Sequence, residues 1–148
     1  MNVEDIVKTK KKMPLTQRTM IHLLLVSRKI TEGIATALKP FEVSQQQFNV
    51  LRILRGQKGA PANLSTLNQR MVTKMSNTTR LVDKLIVKGY VERVVCASNR
   101  RKVEITITTE GQEALLQMDK VVEIAENNIL AQLSKKDMEA LNALLDKF

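Results

Sequence analysis

A mainly α architecture with one small β-hairpin is predicted by three observations on this 148-residue sequence. Apolar residues recur at helical spacing through most of its length. The period shortens to two only once, between residues 90 and 108. Ser, Thr or Asn stands at the capping position ahead of several helical stretches, and Gly or Pro closes others.

Residues 1–15 read as a flexible basic N-terminal arm ending at Pro14. Lys10, Lys11 and Lys12 either keep such an arm soluble or follow a polyanion. From Thr16 to Leu38, a stripe of Ile21, Leu24, Leu25, Ile34 and Leu38, which also passes through Arg28, predicts a long helix. Gly33 interrupts it and Pro40 ends it. In "VSQQQFNVLRIL", Ser44 is placed to cap a second helix, with Gln47 at the capping-box position and Phe48, Leu51 and Leu54 facing inward. Gln45, Gln46 and Gln47 start it, either touching a nucleic-acid backbone or serving in capping and solvation. Gly56 and Gly59 mark a loop. Asn63 opens a short helix with Leu64, Leu67 and Met71 inward. Thr73 can cap the next, Lys74 to Lys88, with Met75, Leu81, Val82, Leu85 and Ile86 as its apolar stripe and Gly89 as its stop. Two helices across a tight turn, the second rimmed with cations and small polar groups, match a helix-turn-helix.

Tyr90–Val95 and Lys102–Thr108 are β-branched and alternating, with Val103, Ile105 and Ile107 on one face and "CASNR" as the turn. A hairpin directly after a helix-turn-helix makes a winged helix-turn-helix core, assigned to residues 41–110. Thr109 starts another helix, which runs through Leu115, Met118, Val122 and Ala125 to about Leu133. Ser134 caps a last helix, with Asp137 in the capping-box place of the usual Glu and Leu141, Leu144, Leu145 and Phe148 as its apolar face. These helices are too long and apolar merely to decorate a small winged domain. Residues 16–38 with 111–148 are therefore expected to be N- and C-terminal dimerisation helices.

The net charge of +9 is unevenly spread. Residues 66–102 hold nine Lys or Arg against Asp83 and Glu92, whereas 110–148 hold four Lys against eight acids. A basic middle beside an acidic end favours a polyanion surface in one place. No apolar run approaches the ~18 residues of a membrane span, so no membrane partner is expected. The N-terminus lacks the basic, apolar, small order of a signal peptide, and a cytoplasmic location is expected. Cys96 is the only cysteine and His22 the only histidine. An intrachain disulfide is thereby excluded, and no cluster has metal-ligand spacing. His22 reads as a packed or interface residue. No nucleophile–His–acid set and no phosphate-binding glycine loop is present, so neither an enzyme nor a cofactor is expected.

The basic stretch carries the candidate site. Residues near the N-terminus of a helix in the major groove reach base edges, and here they are Ser76, Asn77, Thr78, Thr79 and Arg80. Arg pairs bidentately with guanine and Asn with adenine. Thr offers a methyl to thymine or a hydroxyl to phosphate. Arg80 and Asn77 are the candidate base contacts, and Lys74 and Lys84 the phosphate contacts. A solvated helix face is the alternative. In the wing, Asn99, Arg100 and Arg101 form the second candidate surface. From the hairpin turn an arginine reaches the minor groove or its phosphates. The alternatives are charge that blunts the tip, or a salt bridge that holds the wing.

With these motifs in place, the chain resembles the MarR-type transcriptional regulators over about residues 16–148. "LSTLNQRMVTKMSNTTRLVDKLIVKGYVER" is similar to that family's two DNA-binding helices and following strand. "NRRKVEITITTEG" is similar to its wing and next helix entry, usually D-[RK]-R-x-x-x-[VIL]-x-[LI]-T-x-x-G. The resemblance implies an obligate homodimer with interlocking terminal helices, bound to a pseudo-palindromic operator in double-stranded DNA. It implies repression relieved by a small aromatic or phenolic effector held between the dimer and DNA-binding lobes, whose contact residues the sequence does not single out. Ser76 to Arg80 match the start of the family's recognition helix, and Arg100 and Arg101 its wing arginines.

The chain departs from the pattern at Asn99, where the family carries an acid that pairs with the arginine matched by Arg101. An Asn keeps a hydrogen-bonding carbonyl and loses the charge-assisted bond. "VVCAS" replaces the usual proline- and acid-rich approach to the wing. Some relatives sense peroxide through a cysteine beside tyrosines near the N-terminal helices. Here the only tyrosine is Tyr90 and Cys96 sits in the wing, where Arg93, Arg100 or Arg101 would depress its pKa. A redox response through Cys96 and an architectural DNA-binding role without effector are the competing functions.

Overall fold

The computed structural model describes residues 1–72, 77–99 and 102–148. The elements follow in the order α1 (Val3–Ile6), α2 (Leu15–Leu38), a 3-10 turn (Lys39–Phe41), α3 (Gln45–Gly56), α4 (Leu64–Arg70) and α5 (Thr78–Val87). The antiparallel pair β1 (Val91–Val95) and β2 (Val103–Ile107) comes next, then α6 (Thr109–Leu130) and α7 (Lys135–Leu145). This is the helical fold with a β-hairpin wing that the periodicity predicts. Among the described residues no helix is long and apolar enough to cross a membrane.

The chain divides into two compact units, residues 1–36 with 125–148, and residues 37–124. In the first, the N-terminal stretch expected to be a flexible arm carries the short helix α1. Asn2 caps α1 by accepting from the Glu4 N–H at 3.0 Å, and Val3 is fully buried. Arg18 Nε on α2 donates to Glu4 Oε1 at 2.9 Å. His22 Nε2 lies 3.4 Å from the Met1 carbonyl oxygen, a packed position. The Ser134 hydroxyl and Asp137 carboxylate close the capping box that starts α7. Leu15, Met20 and Leu24 of α2, and Leu141, Leu144 and Leu145 of α7, remain exposed, as does Phe148 beyond it, at 91%.

The second unit holds the winged core. Ser44 and Gln47 form the capping box of α3, and Asn63 caps α4 by accepting from the Thr66 N–H. Phe48, Leu51 and Leu54 of α3 are buried with Leu67, Met71, Val82, Leu85 and Ile105. The packing joins α3 to α4, α5 and β2, and α5 to α4 and β1. Arg55 of α3 is ion-paired to Asp119 of α6. On β2, the N–H and C=O of Ile105 point away from β1 and pair with Ala62 at 2.8 and 2.9 Å. The opposed residues Arg93 and Ile105 therefore form a non-hydrogen-bonded pair, with both side chains on one face of the hairpin.

The α5–β1 corner and the start of α6 are built as one knot. Gly89, at φ +74°, ends α5 in a Schellman turn: its N–H reaches the Ile86 carbonyl and the Tyr90 N–H the Leu85 carbonyl. The Thr108 hydroxyl donates to the Gly89 carbonyl at 2.6 Å and accepts from the Gly111 N–H at 3.0 Å. The Thr108 N–H donates to the Tyr90 carbonyl at 3.0 Å. Space for this exists only because residue 111 has no side chain. A Cβ there would collide with the Tyr90 carbonyl and sit 2.9 Å from Ile107 Cγ1. Gly111→Ala is expected to cost about 2–3 kcal/mol, as overpacking against rigid backbone does, measured as a lowered urea midpoint at unchanged m-value.

Candidate nucleic-acid interface

The cationic helix α5 is held from three directions. Near its start, the Thr78 hydroxyl is hydrogen-bonded to Asn68 Oδ1 of α4. In its middle, Asp83 Oδ1 accepts from Arg93 Nη1 of β1 at 3.2 Å. Past its end, Lys88 Nζ donates to the Phe41 carbonyl at 3.3 Å and lies 3.6 Å from Glu42 Oε2. Apolar packing of Val82 and Leu85 supplies the rest.

These ties decide which residues point outward. Asn77, Thr79, Arg80 and Lys84 are exposed. Arg80 and Lys84 stand one helical turn apart, and neither ion-pairs among the described residues. Both border an open groove of about 480 Å³ that Glu42 and Gln47 also line. Thr78 is different. It is only 4% exposed, and its hydroxyl is engaged inside the α4–α5 turn. Thr78, expected among the DNA-contacting residues, thus faces the protein at the start of α5. The helix begins at Thr78 with Asn77 as its N-cap, later than the expected start at Lys74. Lys74 and Ser76 lie outside the described residues, as do Thr73 and Met75.

Gln47, read as capping or backbone-contacting, is buried and closes the α3 capping box. In the wing, Arg100 and Arg101 lie outside the described residues. Asn99 is exposed, and its main chain closes the turn: its N–H donates to the Cys96 carbonyl at 3.1 Å and its carbonyl accepts from the Lys102 N–H at 2.8 Å. Sequence reasoning missed the Asp83–Arg93 pair. Its signal was the period-2 spacing of Val91 and Arg93, which puts both side chains on the face that meets α5.

Cys96 is a free thiol in the hairpin turn, with Sγ 3.1 Å from Ser98 Oγ. Its pKa is lowered, first by the Ser98 hydroxyl and then by the backbone N–H groups of Ser98 and Asn99; burial and Glu104 act in the opposite sense. The direction agrees with expectation; of the three arginines expected to cause it, Arg93 is turned toward Asp83, and Arg100 and Arg101 lie outside the described residues. Among the described residues no group of His, Cys, Asp and Glu is placed to hold a metal ion.

Comparison with known proteins follows the same geometry. A family model described as MarR family matches residues 43–103. The HTH-type transcriptional regulator PecS of Dickeya dadantii (strain 3937) is 29% identical over 125 residues, which span 82% of this chain and 74% of PecS. A mutant MarR from E. coli, in a crystal structure with operator DNA, superposes with a TM-score of 0.75 at 25% identity, over 90% of this chain and 93% of that one. A MarR-like protein from Bacillus cereus ATCC 10987 shares the fold at a TM-score of 0.80 and 21% identity, over 90% and 96% of the two chains.

Two measurements check this geometry. Thr78→Val leaves the Asn68 carbonyl without its donor and is expected to lower stability by about 1–3 kcal/mol, whereas Thr79→Val leaves the urea midpoint essentially unchanged. The rate of Cys96 alkylation, followed against pH, should rise with a midpoint below that of an ordinary thiol. Ser98→Ala should move that midpoint upward, because the thiolate loses its principal donor.

Proposed function

We propose that the chain is a regulator of the MarR family of winged helix-turn-helix proteins, a homodimeric repressor that reads a pseudo-palindromic operator in double-stranded DNA. The observation that carries this reading is the exposed polar and cationic edge of α5, formed by Asn77, Thr79, Arg80 and Lys84 on a helix whose other faces are tied down. Arg80 and Asn77 are assigned to base edges and Lys84 to phosphate. Ser76, Arg100 and Arg101 complete the surface by their correspondence to the family's recognition helix and wing, with Asn99 next to them in sequence and Lys74 as a second phosphate contact by its charge.

Dimerisation is supported by the exposed apolar side chains of α2 and α7, which a solitary subunit leaves in water: Leu15, Leu24, Leu141, Leu144 and the nearby Phe148. Family membership is the support for release by a small aromatic or phenolic acid. The net charge of +9 equally favours an architectural DNA binder, so sequence preference separates the two. Cys96 is the handle for a redox response. Peroxide that leaves this thiol free and DNA binding unchanged removes that version.

Selection from random duplexes with the purified full chain, followed by anisotropy across salt, tests the reading. The expected product is an inverted repeat with half-sites about one helical turn apart, bound at least ~10³-fold more tightly than random DNA. Equal, strongly salt-dependent binding to every duplex would establish the architectural role instead. On the selected site Arg80→Ala is expected to lose about 1–3 kcal/mol and to relax preference at one base pair in each half-site.

A further inference from the structure

The basic stretch of residues 66–102 contains two acids, and the fold engages both. Glu92 faces the side of the hairpin away from Arg93, where its carboxylate accepts from the Thr106 hydroxyl at 3.3 Å. Asp83 lies on the recognition helix itself, between Arg80 and Lys84 in sequence. An aspartate there endangers phosphate binding in two ways. Its own charge repels the DNA backbone, and it stands three residues from Arg80, the spacing at which helical side chains pair. A carboxylate that captures Arg80 removes a cation from the interface.

We propose that Arg93 is a positioning residue for DNA binding: by pairing with Asp83 it neutralises the acid of α5 and leaves Arg80 and Lys84 available to the nucleic acid. Three observations carry the inference. Asp83 is bonded to Arg93 at 3.2 Å and to neither cation of its own helix. Arg93 comes from another element, so the neutralising charge is additional to the DNA-binding set. Its register opposite Ile105 places it on the α5 side of the hairpin, which fixes the direction of the guanidinium. With side-chain exposures of 41% for Arg93 and 51% for Asp83, the pair is too wet to be a major source of stability, so its value lies in the charge that it removes from the groove.

The inference rests on the DNA-binding reading, and its test separates the two. The full-length chain is titrated onto one duplex across a range of salt as wild type, R93Q, R93K, D83N and R93Q/D83N, with each fold checked by circular dichroism. R93Q keeps much of the arginine stem while deleting its charge. It is expected to weaken binding by about tenfold and to make the slope of log K against log salt shallower by about one, as the loss of one phosphate contact does. R93K should stay near wild type. R93Q/D83N should recover both affinity and slope, because no acid is left to mask. A double variant as weak as R93Q overturns the inference and assigns Arg93 to direct phosphate contact or to bracing the hairpin. Should R93Q fail to fold, D83N alone decides: binding at least as tight as wild type supports the inference, and weaker binding overturns it. A wild-type chain that binds no DNA overturns the regulator reading and this inference together.

Discussion

The close approach of Gly111 to the Tyr90 carbonyl sets the geometry of the winged core. Thr108 can bond to Gly89, Tyr90 and Gly111 at once only if the first turn of α6 lies against the corner between α5 and β1. That corner also fixes where the hairpin departs, and so where Arg93 meets Asp83. The end of α5, the root of the wing and the start of the long helix α6 thus share a few atoms of backbone. The left-handed Gly89 turns the chain there, and the absent Cβ of Gly111 admits the helix.

What was legible in the sequence is what is encoded locally. Ser44 with Gln47, and Ser134 with Asp137, satisfy helix ends over three residues, so their identities suffice to place α3 and α7. The switch to period two located the hairpin because Ile105 must be buried while its neighbours are less so. Contacts over longer separations were not legible. The order of the N-terminus depends on Arg18 reaching Glu4, fourteen residues away, and no local pattern announces that bond. The inward turn of Thr78 depends on Asn68 across the α4–α5 corner. A small displacement of a helix start is enough to exchange inside for outside, since each residue adds about 100° of rotation. At Cys96 the lowered pKa owes first to the Ser98 hydroxyl, a local contact two residues away.

The charges follow a similar division. Where an acid lies within the basic middle of the chain, the structure gives it a partner from a different element or strand, as with Asp83 and Arg93, or Glu92 and Thr106. Outside it both kinds occur: Lys135 pairs with Glu139 one turn apart on α7, whereas Glu4 and Asp119 are met by arginines of other helices. Net charge alone hides this. The field presented by α5 depends on which of its carboxylates are already spoken for, a property of tertiary structure rather than composition.

The inward Thr78 makes the exposed edge of α5 separable from its anchor. The side chain that fixes the rotation of the helix contributes nothing to the outer surface, while Asn77, Thr79 and Arg80 around it contribute little to the core. An alphabet of alternative residues can be installed at those three places without disturbing the pitch at which the helix is presented. The outer surface of this helix can therefore be rewritten, by an engineer or by drift after gene duplication, as long as Thr78 and its Asn68 partner are left alone.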